Sequence, residues 1–246
     1  MKGIVLAGGM GKRLYPLTKI TNKHLLPIYK KPMIYYPIQT LVDAGITEIM
    51  IVCGGNNAGD FLKLLGNGQE FGLKRLFYAY QEREGGIAEA IGLAQNFAEN
   101  DLMTVILGDN IFGCNIKPYV EAFESQGKGA RIILKEVPNP REYGVPRFED
   151  KRIIEIIEKP KKPPSNFAVV GLYMYDSKVF EIIKGLKPSR RGELEVTDIN
   201  NWYLRANELQ YSFLDCWWID AGESIKAYYK AIALVAEKEE GVKIFN

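Results

Sequence analysis

The sequence predicts an α/β fold with a mostly parallel central sheet and helices on both of its faces. Nearly continuous apolar runs alternate with segments whose apolar residues recur at helical spacing through the first half of the chain. Uninterrupted apolar strands are typical of parallel sheets that are covered on both sides. The 246 residues, 47% of them hydrophobic, suffice for one large domain. We therefore expect a single domain that begins with successive β-α units.

The apolar runs predict the strands. In chain order they span residues 2–7, 48–53, 73–80, 102–107, 130–137, 152–157, 168–175 and 210–214. The segments with helical spacing predict the helices. These span residues 33–44, 57–65, 87–98, 117–125, 176–185, 197–207 and 226–239. We expect Pro32 at the start of the first helix, Gly45 just after its end, and Thr197 as the cap of the helix that it begins.

Composition and charge do not favour a nucleic-acid or membrane partner. The net charge is +2, and the basic residues are spread along the chain. No uninterrupted apolar stretch approaches the length of a membrane span, and the N-terminus enters a strand at once. We therefore expect neither a membrane helix nor a signal peptide, and we expect a cytoplasmic protein.

Three cysteines and one histidine limit the other possible chemistries. Cys53, Cys114 and Cys216 form no C-x-x-C pair, and each lies beside apolar residues. We expect buried free thiols in a reducing compartment and no zinc site. His24 is the only histidine and follows Lys23 in a loop. We favour a solvated or hydrogen-bonded structural role for it over a catalytic one.

A cluster of glycines and basic residues follows the first apolar run. Its members are Gly8, Gly9, Gly11, Lys12, Arg13 and Lys23. A glycine-rich loop exposes backbone N–H groups that bind phosphate oxygens, and nearby lysine and arginine side chains neutralise their charge. The cluster therefore predicts a nucleoside triphosphate site. The alternative is a tight strand-to-helix turn with solvated basic residues.

Other glycine motifs do not fit this loop. The dinucleotide fingerprint G-x-G-x-x-G requires a third glycine where Leu14 stands. The Walker A pattern requires a Gly-Lys-Ser or Gly-Lys-Thr ending, which is absent here. The kinase loop requires Val-Ala-Ile-Lys and His-Arg-Asp segments, which the sequence also lacks.

Polar residues and glycines follow several of the other predicted strands. They are Gln81, Gly85, Gly86 and Asp109, and Glu158, Lys159 and Asp220 lie near the strands of the second half. Ligands of open parallel sheets bind beyond the carboxyl ends of the strands, so we expect these residues at one edge. Asp109 and Asp220 suit Mg²⁺, which combines one or two carboxylates with phosphate oxygens. The alternatives are an Asx turn or helix cap at Asp109 and a turn before a helix at Asp220.

A second group of residues suggests a sugar phosphate site. The Glu158 carboxylate would accept hydrogen bonds from sugar hydroxyls, and the Lys159 ammonium would hold a phosphate. The alternative is a solvated ion pair at the end of a strand. The backbone at Tyr143 and Gly144 could approach a ligand closely, because glycine has no side chain there.

Together these motifs resemble the sugar-1-phosphate nucleotidylyltransferase family. The matching segments are Leu6-Ala7-Gly8-Gly9-x-Gly11-x-Arg13-Leu14-x-Pro16-x-Thr18, Lys23-x-Leu25-Leu26-Pro27, Lys31-Pro32-Met33-Ile34-Tyr35-Tyr36-Pro37, Leu107-Gly108-Asp109-Asn110-Ile111, Glu142-Tyr143-Gly144-Val145, Glu158-Lys159-Pro160, Gly171-Leu172-Tyr173, Arg191-Gly192-Glu193-Leu194-Glu195-x-Thr197-Asp198 and Trp218-Ile219-Asp220-x-Gly222. They occur in order along most of the chain. The segments around Tyr35, Asp109 and Glu193 point to the thymidylyl branch of the family.

The resemblance implies a fold, a reaction and its partners. The fold would be Rossmann-like and of the nucleotide-diphospho-sugar transferase type, with inserted sugar-binding strands. A single domain would comprise a nucleotide-binding half at about residues 1–135, a sugar-phosphate-binding half at about 136–222 and a closing helix at 223–246. The substrates would be dTTP and glucose 1-phosphate, the products dTDP-glucose and pyrophosphate, the cofactor Mg²⁺ and the assembly a homo-oligomer.

The resemblance also implies roles for individual residues. The nucleotide would be bound by Leu6, Gly8, Gly9, Gly11, Arg13, Gln81, Gly86 and Asp109. The sugar phosphate would be bound by Tyr143, Gly144, Glu158, Lys159 and Val170. Arg13, Lys23 and Lys159 would carry the catalysis by neutralising the charge of the phosphates. Asp109 and Asp220 would hold Mg²⁺.

The sequence also departs from the family pattern. Lys12 stands where the family usually has threonine, and Ala221 and Glu223 replace the threonines common after the second metal aspartate. The chain is shorter than relatives that have a C-terminal feedback site, so we expect no site of that kind. Two other functions stay open. One is a family enzyme that uses UTP or another sugar 1-phosphate, and the other is a non-catalytic subunit that binds a nucleotide sugar.

Overall fold

The computed structural model describes residues 1–55, 57–241 and 243. The strands are β1 (Lys2–Ala7), β2 (Pro27–Ile28), β3 (Lys31–Pro32), β4 (Glu48–Gly54), β5 (Arg75–Gln81), β6 (Met103–Leu107), β7 (Asn110–Phe112), β8 (Ala130–Glu136), β9 (Gly144–Glu149), β10 (Arg152–Glu158), β11 (Phe167–Tyr175), β12 (Leu209–Phe213) and β13 (Trp218–Asp220). The α-helices are α1 (Tyr35–Asp43), α2 (Ala58–Leu65), α3 (Ile87–Gly92), α4 (Gln95–Ala98), α5 (Lys117–Gln126), α6 (Val179–Gly185), α7 (Val196–Arg205) and α8 (Ile225–Glu240). Short 3-10 turns include Lys12–Leu14 and Lys23–Leu25.

The central sheet confirms the predicted α/β class. Seven strands follow the order β12-β8-β11-β6-β1-β4-β5. The pairs β1–β4, β4–β5 and β8–β12 are parallel, whereas β8 and β11 are antiparallel. The strands β1 and β4 are buried over almost their whole length, which explains their uninterrupted apolar sequences. No helix among the described residues is long and apolar enough to cross a membrane.

The backbone divides into two compact units. The glycine-loop unit comprises residues 3–84, 106–117 and 216–246, and the Glu158 unit comprises residues 1–2, 85–105 and 118–215. The two units interleave along the chain, whereas the halves predicted from the resemblance follow one another, and those halves stay a prediction. The predicted closing helix corresponds to α8, and residues 242 and 244–246 of that segment lie outside the described part of the chain.

Several predicted helices have different bounds. The predicted helix 87–98 is interrupted after Gly92, because glycine is a poor helix former, and it resumes as α4. Pro32 does not begin α1 but pairs with Pro27 in the β2–β3 ladder. Thr197 lies inside α7 rather than at its cap, since its hydroxyl donates to the Glu158 carboxylate at 2.5 Å. The apolar runs did not predict β9, which pairs with β10, or the short strands β2, β3, β7 and β13.

The prediction of three free thiols is wrong for two of the cysteines. Cys114 and Cys216 form a disulfide with a Cα–Cα distance of 5.8 Å. They face each other because they extend the ladder in which Phe112 pairs with Trp218 and the Gly113 N–H donates to the Trp217 carbonyl at 2.8 Å. Cys53 is a buried free thiol, and burial raises its pKa. The sequence does not reveal this bridge, because 102 positions separate the two cysteines.

Reduction of this disulfide should lower the free energy of unfolding by about 2–4 kcal/mol, because the bridge closes a long loop and restricts the unfolded chain. Urea denaturation with and without dithiothreitol measures the difference. A double variant, Cys114→Ser with Cys216→Ser, is the control and should not respond to the reductant. An unchanged midpoint for the reduced wild-type protein would argue against a structural bridge.

Candidate active site

The glycine loop at the end of β1 has a conformation that requires glycine. Gly11 has a φ of 68°, and a Cβ there would lie 2.8 Å from the Thr18 Cγ2. The Thr18 hydroxyl donates to the Gly11 carbonyl at 2.9 Å, and the Asn22 amide donates to the Gly9 carbonyl at 3.5 Å. Two side chains of the following segment therefore hold the backbone of the loop in place.

Lys23 lies directly beside this loop. A Cβ at Gly9 would be 3.6 Å from the Lys23 Cε and 3.8 Å from its Nζ. The backbone of Lys23 belongs to a 3-10 turn, which the Asn22 side chain caps by accepting the His24 N–H. Leu14 and Leu26, on either side of Lys23 in the sequence, are buried in the core of this unit. The packing of these leucines in the core therefore positions the backbone that carries the Lys23 ammonium group.

Asp109 forms an ion pair with Lys23. The Lys23 ammonium donates to the Asp109 Oδ2, and the Asn110 amide donates to the Oδ1 at 3.0 Å. Burial alone would raise the pKa of Asp109, but the ammonium lowers it to about 2. Burial lowers the pKa of Lys23, but the charges of Asp109 and Asp220 outweigh this effect and raise it. Both partners are therefore charged at neutral pH.

Asp220 approaches Asp109 through a short ladder. Asp220 pairs with Asn110 in β13–β7, and the Ala221 N–H donates to the Asp109 carbonyl at 2.9 Å. A Cβ at Gly222 would overlap the Asp109 Oδ2 and lie 2.8 Å from the Lys23 Nζ. Burial, and next the charge of Asp109, raise the pKa of Asp220 to about 7. The structure therefore brings these two aspartates and Lys23 together.

Asp220 also forms the turn that was the alternative to a metal site. The contacts of the Asp109 carboxylate are neither those of an Asx turn nor those of a helix cap. The Asp220 Oδ1 accepts the Gly222 N–H at 2.9 Å, which is an Asx-type contact. Asp109 accepts its hydrogen bonds from two side chains instead. Its carboxylate is thus held for interactions within the site rather than for a turn.

The two carboxylates fit a divalent cation. A pair of neighbouring acidic groups, one of which has a raised pKa, gains from a hard cation that relieves the repulsion. Among the described residues there is no group of three or more His, Cys, Asp or Glu side chains suited to a metal. Asp109 and Asp220 would supply two oxygen ligands, and phosphate oxygens or water would supply the others.

Gln81, Arg13 and Leu6 belong to the same unit. Gln81 is buried at the end of β5, and a Cβ at Gly8 would overlap its Oε1. Arg13 lies in the exposed part of the Lys12–Leu14 turn, and its charge acts on Lys23. Leu6 has a buried side chain, and its carbonyl accepts the Gly108 N–H at 2.8 Å. The backbone carbonyl of Leu6 is therefore already hydrogen-bonded within the protein.

His24 has a structural role. Its ring Nδ1 lies 2.7 Å from the Asn22 Oδ1, and this contact orients the ring. The ring is buried and a Cβ at Gly108 would lie 2.8 Å from its Cδ2. Burial and, next, the Lys23 charge lower the pKa of His24 to about 3. The ring is therefore neutral at physiological pH.

The predicted sugar phosphate residues gather in the Glu158 unit. Gly144 pairs with Glu158 in the β9–β10 ladder, and the Lys159 N–H donates to the Tyr143 carbonyl at 3.0 Å. A Cβ at Gly144 would lie 3.7 Å from the Glu158 Oε2. Val170 is fully buried where β11 changes register against β8.

An arginine that received no individual role from the sequence also contacts this group. The Arg191 guanidinium lies 3.5 Å from the Glu158 Oε1 and 2.7 Å from the Glu195 Oε2. Burial raises the pKa of Glu158. Gly86, also in this unit, has a φ of 99°, and a Cβ there would overlap the Leu194 carbonyl. Arg191 belongs to the segment of residues 191–195 that the family resemblance includes, and that segment was the available signal for it.

The chain belongs to the nucleotidyl transferase family, whose sequence profile matches residues 2–238. Among its relatives, a glucose-1-phosphate thymidylyltransferase of Neisseria meningitidis is 43% identical over 90% of this chain and 78% of its own length. The enzyme of that name from Mycobacterium tuberculosis is 41% identical over 99% and 86%.

Solved structures agree with this assignment. A Bacillus anthracis protein crystallised with sucrose is 51% identical, with a TM-score of 0.92 over 100% of this chain and 98% of its own. A UDP-glucose pyrophosphorylase in complex with UDP-glucose is 25% identical, with a TM-score of 0.85 over 97% and 99%. The similarity therefore extends over nearly the whole of each of these structures.

Proposed function

We propose that the protein is a glucose-1-phosphate thymidylyltransferase, which converts dTTP and glucose 1-phosphate into dTDP-glucose and pyrophosphate. The observation that carries the proposal is the convergence of the glycine loop, Lys23, Asp109 and Asp220 within one unit. Cationic groups beside exposed backbone N–H groups suit a triphosphate, and the acidic pair suits its metal. The names of the relatives supply the base and the sugar.

The nucleotide is assigned to the glycine-loop unit. The backbone of Gly8, Gly9 and Gly11 cradles the triphosphate, and Gln81 reads the pyrimidine edge. Lys23 moves its charge from Asp109 towards the α-phosphate, and Arg13 stabilises the pyrophosphate that leaves. Asp109 and Asp220 would hold Mg²⁺, which would supply further neutralisation of phosphate charge.

The sugar phosphate is assigned to residues of the Glu158 unit. Glu158 accepts hydrogen bonds from glucose hydroxyls, and Lys159 holds the phosphate. Gly144 and Tyr143 present backbone to the sugar, and Val170 packs in the buried layer of β11. The Thr197 hydroxyl fixes the Glu158 carboxylate, whose orientation decides which hydroxyls it meets.

The reaction requires no proton transfer to a protein side chain. An oxygen of the glucose 1-phosphate phosphate attacks the α-phosphorus of dTTP, and the bond from that phosphorus to the bridging oxygen of pyrophosphate breaks. Catalysis consists of positioning the two phosphates and neutralising their charge. A neutral, buried His24 agrees with this chemistry, because the reaction has no need of a histidine base.

UTP is the second candidate nucleotide. Thymine and uracil share the edge that Gln81 would read, and the similarity to a UDP-glucose pyrophosphorylase favours this alternative specifically. A non-catalytic nucleotide-sugar subunit is a weaker candidate, because a binding protein has less need of Lys23, Asp109 and Asp220 in one cluster.

We also propose a cytoplasmic homo-oligomer. The nucleotide substrates favour the cytoplasm, whereas the Cys114–Cys216 bridge points the other way, since structural disulfides are rare in reducing compartments. Thiol alkylation in intact cells, followed by mass spectrometry, reports the redox state of the two cysteines in the cell.

Light scattering after size-exclusion chromatography reports the oligomeric state, and a monomer at micromolar concentration would contradict the proposed homo-oligomer.

A pyrophosphate-release assay tests the function. Purified protein and Mg²⁺ are combined with dTTP, UTP, GTP, CTP or ATP and with several sugar 1-phosphates. We expect the highest kcat/KM for dTTP with glucose 1-phosphate. Higher kcat/KM for UTP would establish the second candidate, and no release with any pair would contradict both enzymatic functions.

A further inference from the structure

Glu84 contacts the glycine loop from the segment that follows β5. Its Oε2 lies 2.6 Å from the Lys12 Nζ, and its Oε1 accepts the Met10 N–H at 3.3 Å. Met10 stands between Gly9 and Gly11, so this N–H belongs to the loop itself. One carboxylate therefore binds both a backbone donor and a basic side chain of the loop.

These two contacts are those that a phosphate oxygen would seek. Phosphate groups bind backbone N–H groups of glycine-rich loops and nearby ammonium groups. The Lys12 hydrogen bond is the largest influence that lowers the pKa of Glu84, and the Met10 N–H and the charge of Lys23 lower it further. Glu84 thus carries its negative charge within the field of the cations assigned to the triphosphate.

A ligand can replace Glu84 in its contact with Lys12, because both side chains are accessible to water. The side chains of Lys12 and Glu84 are 72% and 43% exposed. An ion pair so accessible to water stabilises the protein little, and a ligand with several negative charges competes with it easily.

We propose that Glu84 is an internal anion that occupies the phosphate position of the glycine loop in the free protein and is displaced by the triphosphate. The inference rests on the proposed function only in assigning the loop to the triphosphate. Displacement releases the Met10 N–H and the Lys12 ammonium to the ligand. Glu84 thereby weakens nucleotide binding and sets the concentration at which the site fills.

A role for Glu84 in stabilising the loop would have the opposite effect on phosphate affinity. If Glu84 served to hold the loop in its binding conformation, its removal would weaken the binding of phosphates. If it acted only as a negative charge near a cationic surface, any neighbouring carboxylate would have the same effect. A binding measurement separates the three roles.

The experiment compares Glu84→Gln with Glu82→Gln. Glu82 is an exposed carboxylate two residues away and provides the matched control. Isothermal titration calorimetry measures the Kd of inorganic triphosphate and of dTTP for both variants and the wild-type protein. We expect Glu84→Gln to lower both Kd values by about threefold to tenfold, as expected for the loss of one exposed competing charge. Raising the salt concentration should shrink this difference.

Steady-state kinetics add a second readout. We expect the KM for dTTP to fall with the Kd and kcat to change by less than about twofold, because Glu84 leaves the site before the reaction. An equal or higher Kd for Glu84→Gln, or an equal decrease for both variants, would overturn the proposal. Binding of inorganic triphosphate requires no turnover, so failure of the proposed reaction would be seen separately in the pyrophosphate assay.

Discussion

Asp109→Asn should abolish turnover while nucleotide binding survives in part. The substitution keeps the size of the side chain but removes the charge that pairs with Lys23 and that would bind the metal. Loss of a ligand to a charge-neutralising metal costs several kcal/mol of transition-state stabilisation, so kcat should fall by about a thousandfold or more. The pyrophosphate assay measures kcat, and calorimetry with dTTP measures binding through the remaining loop contacts.

Asp101→Asn provides the matched control for this variant. Asp101 is an exposed aspartate just before β6, the strand that Asp109 follows, and its replacement should leave kcat within about twofold. Circular dichroism establishes that both variants are folded. Activity of Asp109→Asn within tenfold of the wild-type protein would exclude Asp109 as an essential metal ligand.

Lys23→Met should lower both stability and activity. The ammonium compensates the buried Asp109 carboxylate and the half-buried Asp220 carboxylate, and breaking a buried ion pair costs about 3–5 kcal/mol. Loss of the charge assigned to the α-phosphate should also reduce kcat by about a hundredfold or more. Denaturant unfolding and the pyrophosphate assay measure the two effects. Lys19→Met, at an exposed lysine of the same segment, should change neither.

The pH dependence of stability should also change in Lys23→Met. In the wild-type protein the pKa of Asp109 is lowered, so its stabilising effect is present at neutral pH and is lost as the pH falls towards about 2. Without the ammonium, ionising both Asp109 and Asp220 becomes unfavourable, and the pKa of the pair rises. As the pH rises above the unfolded-state pKa of about 4, the stability of the variant should therefore decrease more than that of the wild-type protein, in which Asp220 has a raised pKa of about 7 but Asp109 a lowered one. A pH profile parallel to that of the wild-type protein would contradict the compensating role of Lys23.

The sequence predicted the strands of the sheet better than the helices. Strands such as β1 and β4 are buried on both faces, so their apolar runs are unambiguous. Helix bounds depend on single contacts that a sequence does not display. Thr197 resembles a cap, yet its hydroxyl binds Glu158, which lies 39 positions away in the sequence. The Cys114–Cys216 bridge was hidden for the same reason, because it depends on the β7–β13 ladder.

The candidate site shows a similar division. The glycine loop and Asp109 could be singled out because each follows an apolar strand, and ligands of parallel sheets bind at strand ends. Asp220 could be singled out because it comes just after an aromatic pair. The direct ion pair between Lys23 and Asp109 could not be predicted, since it joins two separate loops. The contacts of Glu84 with Met10 and Lys12 are of the same kind. Side-chain partners of this sort become visible only when the loops are placed in space.

The most direct test of the account is to follow the individual phosphorus atoms of dTTP. The protein is incubated with glucose 1-phosphate, Mg²⁺ and dTTP that carries radioactive phosphorus at the α position in one sample and at the γ position in another. We predict that the α label appears in dTDP-glucose and the γ label in pyrophosphate. Release of the γ label as orthophosphate, or retention of both labels in dTTP, would contradict nucleotidyl transfer by this site.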